Sequence, residues 1–176
     1  MSTFLETYKF YSKPLPNTTR IAQLAEELFA ECMKHDMGDP FVPGRLQEII
    51  MAHKLGHRIS DTLAGADAYD EAGACEYKST TKPIITGAYK GISKMPTWDE
   101  QLEYLEEKIA GCTNHYIARF EEGVIVEAWK LKGADVLKIL LPRLQKQYIS
   151  EEHKKDPRLA VTLSKCDIYD YGERVI

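Results

Sequence analysis

No stretch of the chain reaches the roughly 18 consecutive apolar residues that a membrane-spanning helix requires, and the first residues lack the basic-then-apolar layout of a secretory signal. The expectation is a soluble, cytoplasmic chain with no membrane partner. Paired cysteines are missing as well. Cys32, Cys75, Cys112 and Cys166 lie far apart, without the close spacing of structural zinc sites or small disulfide frameworks, so all four are expected to be reduced and structural. The five histidines are scattered. His53 and His57 stand four apart, but without the glutamate of a zinc-protease helix they read as a helix surface or a local hydrogen bond. An excess of positive charge is absent too: 23 Lys and Arg against 27 Asp and Glu leave −4. That balance excludes a uniformly basic nucleic-acid binder, so any such role depends on where the charges fall.

What is present is 176 residues, 44% of them hydrophobic, enough to bury one substantial core. One domain spanning residues 1–176 is expected, with no internal repeat or low-complexity segment. Residues 1–17 carry Tyr8, Phe10, Tyr11, Pro14 and Pro16 and read as an extended arm that must pack on something. A helix is expected from Thr18 or Thr19, where a hydroxyl caps free N–H groups, to about Gly38. A second is expected from Arg45 to Leu55, with Leu46, Ile49 and Ile50 inward and Gly56 as its stop.

After a loop over residues 58–66, two short extended segments, 67–70 and 74–79, flank Glu71-Ala72-Gly73 and suggest a β-hairpin. Residues 80–96 show no helical periodicity and are expected to form strand ends and exposed loops. Thr97 followed by Glu100 is a capping box, and Trp98, Leu102, Leu105 and Ile109 supply a helical stripe behind it. Residues 115–120 and 124–131 read as a second hairpin, residues 134–148 as a helix bent by Pro142, and residues 159–167 as a last strand. That order suits an α/β (α+β) fold in which helices flank a mixed sheet.

Charge is unevenly spread. Residues 77–97 hold Lys78, Lys82, Lys90 and Lys94 and no acid, while residues 128–149 hold five cations against Asp135 alone. Acids crowd residues 26–31 and 99–107, which suggests two chemically distinct faces.

The chemistry concentrates in Ala74-Cys75-Glu76-Tyr77-Lys78. In a strand, alternate side chains share a face, so Glu76 and Lys78 point the same way, about 6.5 Å apart, while Cys75 and Tyr77 turn toward the core. If the preceding arm is antiparallel, Asp67 or Asp70 stands beside Glu76, and two carboxylates and an ammonium converge. Phosphodiester hydrolysis needs such a set. The phosphate repels a nucleophile and its transition state gathers further negative charge, which a divalent metal screens. Magnesium prefers oxygen ligands and keeps several waters, so two carboxylates and a phosphate oxygen suit it. The competing expectation is that Glu76 and Lys78 are solvent-facing charges on an edge strand, where they discourage aggregation.

The pattern resembles the PD-(D/E)xK nuclease superfamily, and within it the type II restriction endonucleases: an Asp opening one strand, a gap, then Glu-x-Lys on the next. Here it reads Gly65-Ala66-Asp67-Ala68-Tyr69-Asp70, then Glu76-Tyr77-Lys78, with eight residues between Asp67 and Glu76 and no Pro before the Asp. The resemblance covers about fifteen residues directly, and the surrounding order of helices and strands agrees with it. It implies a restriction-endonuclease-like sheet, Asp67, Glu76 and Lys78 as catalytic residues, and Asp67 and Glu76 as ligands of Mg²⁺, with Mn²⁺ as a substitute. Asp70 competes with Asp67 for the ligand role, and Glu48, on the preceding helix, is implied as a further ligand.

Residues 79–95 are the expected DNA contact surface, with Lys82, Lys90, Lys94, Ser79 and Thr80 on phosphates and Tyr89 on sugar or base. The expected partner is double-stranded DNA, and a two-fold recognition site would call for a homodimer in which the N-terminal arm takes part. Rival expectations are a structure-specific repair or junction-resolving nuclease with the same centre, and a non-catalytic nucleic-acid-binding module.

Overall fold

A computed structural model describes residues 16–62, 64–150 and 158–176. The N-terminal arm lies almost wholly outside these residues, as does the Asp156-Pro157 turn. The first helix among the described residues, α1, runs Pro16–Lys34. It starts before the expected Thr18 because a proline's missing N–H costs nothing in a first helical turn. The second, α2, is Arg45–Leu55, and Gly56 ends it with φ 73°, a left-handed conformation that glycine adopts without strain, its N–H reaching Ala52 O.

The strands β1 (Arg58–Ile59), β2 (Ala68–Asp70) and β3 (Gly73–Thr80) follow, so the expected loop of residues 58–66 contains a short strand. Strands β2 and β3 form the expected antiparallel hairpin. Its turn is only Glu71-Ala72, since Gly73 already pairs with Asp70. Next come β4 (Gly87–Ser93) and α3 (Trp98–Leu105), which runs on into a π-helical turn, Glu106–Ala110. As expected, the Thr97 hydroxyl accepts from the Glu100 N–H at 3.3 Å. Strands β5 (Asn114–Glu121) and β6 (Val124–Lys132) make the second hairpin, and α4 (Gly133–Ser150) continues through Pro142. The chain ends with β7 (Arg158–Leu163), α5 (Lys165–Tyr171) and β8 (Glu173–Arg174).

Six strands form one sheet in the order β1-β2-β3-β5-β6-β8, parallel only between β3 and β5, so the fold is mixed α/β. Both faces are covered. On one, Met51 and Ala52 of α2 pack with Cys75, Tyr77, Tyr116 and Ala118. On the other, Ile117 and Leu131 pack with Leu105, Val136, Leu140 and Leu144. The alternation expected of β3 holds, with Cys75 and Tyr77 buried.

Two expectations are corrected. Residues 80–96 are not merely exposed loop: β4 pairs antiparallel with β7 in a two-stranded sheet that buries Ile85, Tyr89 and Ile92. The pairing slips between Tyr89 and Ile92, where Gly91 has φ 69°, so no clean period-two pattern appears in the sequence. The last strand stops at Leu163, because Ser164 and Asp167 cap each other and start α5.

Candidate active site

Strand β3 pairs with β5 from Cys75 to Thr80, whereas β2 flanks only residues 73–75, so beside Glu76 and Lys78 the free side of the strand is met by Asp67, and both side chains are only about one-fifth exposed. The hairpin register pairs Ala68 with Cys75, so Asp67, one residue before the strand, comes to the level of Glu76. Two hydrogen bonds hold it there: Asp67 N–H donates to Cys75 O at 3.0 Å, and Tyr77 N–H donates to Asp67 Oδ2 at 2.7 Å. Lys78 Nζ forms a close ion pair with Glu76 Oε1. Asp67, Glu76 and Lys78 thus share the wall of one cleft of about 840 Å³.

Burial, the charge of Glu76 and the charge of Glu48 push the Asp67 carboxyl up from 3.8 to about 7, against the opposing pull of the Tyr77 N–H and the Lys78 ammonium. A carboxylate in such a place is short of positive charge.

Asp70, the competing residue, is committed elsewhere. Its Oδ2 accepts from Asn114 Nδ2 at 2.6 Å and the Tyr116 hydroxyl at 2.8 Å, while Oδ1 accepts from the N–H groups of Ala72 and Gly73. Burial alone would raise its pKa, but these donors hold it down at about 2. Geometry therefore separates the two: Asp67 faces the cleft, and Asp70 ties the hairpin turn to β5.

Glu48 is near enough for its charge to act on Asp67, but it does not line the cleft. Its Oε2 accepts from Arg45 Nη1 at 3.1 Å. Arg45 is 1% exposed and also donates to Met37 O and Ser60 O, so it clamps the start of α2 to the loop leading toward Asp67. Sequence reasoning missed this residue, since a charged residue opening a helix carries no mark of burial.

Among the described residues no group of three or more His, Cys, Asp or Glu side chains is spaced to hold a metal ion. The donors that fit a hard cation are the two carboxylates of Asp67 and Glu76, an oxygen-only pair of the sort Mg²⁺ completes with water and substrate oxygens.

The expected DNA contacts fare unevenly. Lys90 is exposed and lines the cleft. Lys82 and Ser79 are exposed away from its lining, and the Thr80 hydroxyl accepts from Lys82 N–H at 3.2 Å. The Lys94 amine rests 4.5 Å from the Tyr148 ring centre. Tyr89 is a correction: it borders the cleft but is only 6% exposed, with its hydroxyl bonded to His115 and its ring in the core under Lys78, so it is not the free surface side chain expected for a sugar or base.

The opposite cleft wall was not anticipated. The π-helical turn brings Glu107 and Lys108, and α3 brings Tyr104, into the lining. π-Turns inside helices often mark functional sites. The acid-rich stretch 99–107 therefore sits partly on the cleft, not on a separate face.

The four cysteines are free as expected, three of them buried; His53 is exposed, as a helix-surface residue should be, whereas His57 Nδ1 and the hydroxyl of Tyr77, 20 residues on, share a hydrogen bond of 2.7 Å that is not local. Among the described residues no helix is long and apolar enough to cross a membrane. Compared with known proteins, the chain matches no family model and no curated protein.

Proposed function

We propose that this protein is an endonuclease that hydrolyses DNA phosphodiester bonds with Mg²⁺, or Mn²⁺ in its place, using Asp67, Glu76 and Lys78. The observation that carries the reading is the meeting of these three groups in one cleft, with Glu76 and Lys78 largely shielded from solvent. The raised pKa of Asp67 supports it, since a buried acid beside other acids favours a bound cation.

Asp67 and Glu76 would hold the metal, which supplies charge screening for the phosphate and acidity to a bound water. The chain's own residues do the rest. The Tyr77 N–H fixes Asp67 Oδ2. Lys78 Nζ, carried on the same face of β3 as Glu76, orients the attacking water and stabilises the charge that grows on the phosphate oxygens. Lys90 and Lys108, both in the cleft lining, neutralise the flanking phosphates. We take the enzyme to be a sequence-specific, type II restriction endonuclease acting as a homodimer on double-stranded DNA in the cytoplasm.

Digestion of phage or plasmid DNA with Mg²⁺, with the cut ends mapped, tests the reading. Discrete fragments with ends at one short sequence are expected. Selective cutting of branched DNA would replace the restriction reading by a junction-resolving one. Tight binding without cleavage of any DNA form under Mg²⁺ or Mn²⁺ would replace both by a binding module.

A further inference from the structure

Beneath Lys78 lies a buried polar chain that the proposed hydrolysis leaves unused. Tyr89, on β4, places the centre of its ring 5.3 Å from Lys78 Nζ. Its hydroxyl meets His115 Nδ1 at 2.7 Å, and His115 Nε2 meets the Ile109 carbonyl at 2.8 Å. A carbonyl only accepts, so Nε2 carries a proton. In the neutral ring Nδ1 is then an acceptor, and the Tyr89 hydroxyl is the donor. His115 is fully buried, and that burial favours its neutral form.

The chain fixes more than one ring. His115 pairs with Glu76 in the parallel ladder between β3 and β5, so it stands directly beside the strand that carries the acid and the lysine. Ile109 belongs to the π-helical turn that supplies Glu107 and Lys108 to the opposite wall. The Ile109 carbonyl, His115 and Tyr89 therefore tie the two walls of the cleft together and lock the tyrosine ring in one orientation under the ammonium.

We propose that Tyr89, held by His115, is a positioning residue for Lys78: its ring face keeps the Lys78 ammonium aimed into the cleft when Glu76 is engaged by a cation. In the structure Lys78 has two attractions, the Glu76 carboxylate and the Tyr89 ring. A divalent ion on Glu76 competes with the first. The second is untouched by it, and a partly shielded cation over an aromatic face is attracted by the ring's negative face, which biases where the ammonium points. The proposal rests on the nuclease reading for its kinetic consequence, but its geometric half is independent.

The geometric half is read by NMR of the lysine ε-methylenes in the full, metal-free chain, with the Lys78 signal identified by its loss in Lys78→Arg. It should be shifted upfield by the ring current, and remain so in Tyr89→Phe but not in Tyr89→Leu. The kinetic half is read by single-turnover cleavage with Mg²⁺. Tyr89→Leu should be about tenfold slower than the wild type at unchanged DNA affinity, and Tyr89→Phe within about threefold of it. Both variants lose the hydroxyl that pairs with His115, so the difference between them isolates the ring.

Should Tyr89→Leu fail to fold, pentafluorophenylalanine at position 89 keeps the shape while removing the negative ring face, and should be as slow as expected for leucine. An unshifted Lys78 signal in the wild type, equal rates for Tyr89→Phe and Tyr89→Leu, or full activity with the fluorinated ring would overturn the proposal. A wild type that cuts no DNA refutes the nuclease reading instead, and the NMR signal still decides the packing of lysine on tyrosine.

Discussion

The backbone N–H of Tyr77 donates to Asp67 Oδ2 across 2.7 Å, from a residue whose own side chain points to the opposite face of the sheet. One strand thus does two jobs. Its odd-numbered side chains, Cys75 and Tyr77, anchor it in the core, while its even-numbered side chains and one backbone donor assemble the acids and the lysine.

The first prediction concerns pH. Asp67 has its pKa raised by burial and neighbouring acids to about 7 in the folded protein, against 3.8 ordinarily. A raised acid favours the folded state below the unfolded value, and that contribution is lost as pH climbs through the folded one. The melting temperature of the metal-free wild type should decline relative to that of Asp67→Asn between about pH 4 and about pH 7, and level off against it above that. Mg²⁺ should restore stability at the upper end of the range in the wild type only. Thermal denaturation followed by circular dichroism across the range, with and without the ion, checks all three.

Asp70 should behave as the structural partner of this pair. Asp70→Ala removes four hydrogen bonds around the hairpin turn, so it should cost roughly 3 kcal/mol in urea unfolding. At temperatures where the variant stays folded, its Mg²⁺ affinity should match the wild type, whereas Asp67→Asn should lose the ion without losing stability. Loss of Mg²⁺ binding in folded Asp70→Ala would reverse the assignment of the two residues.

Arg45 offers a third check. Arg45→Met strips Glu48, Met37 O and Ser60 O of a buried donor and should destabilise the fold by roughly 3 kcal/mol. Adding Glu48→Met should recover part of that loss, because the carboxylate left without its partner is then gone. A double-mutant cycle in urea measures the recovery, and strict additivity would show that the two residues do not act as a pair.

The site was legible in the sequence where it depended on local rules. Strand alternation placed Glu76 with Lys78, and the hairpin turn placed Asp67 beside them. Sequence alone left Asp67 and Asp70 in competition, because the difference lies in Asn114 and Tyr116, more than 40 positions away. Arg45, Lys108 and the Tyr89 to His115 contact were illegible for the same reason, being set by which elements pack together. Strand β4 was hidden by its slip at Gly91, which breaks the alternation of Tyr89 and Ile92. Helix α5 differs. Its signal, Ser164 followed three residues on by Asp167, is in the chain, but the β-branched run ahead of it, with Val161 and Thr162, reads as one longer strand.

The most direct measurement is single-turnover cleavage of a long duplex with saturating Mg²⁺, comparing the wild type with Lys78→Ala, alongside binding of the same duplex without metal. The account predicts discrete cutting by the wild type, none by Lys78→Ala, and similar DNA affinity for both. Cutting by Lys78→Ala at the wild-type rate would contradict it.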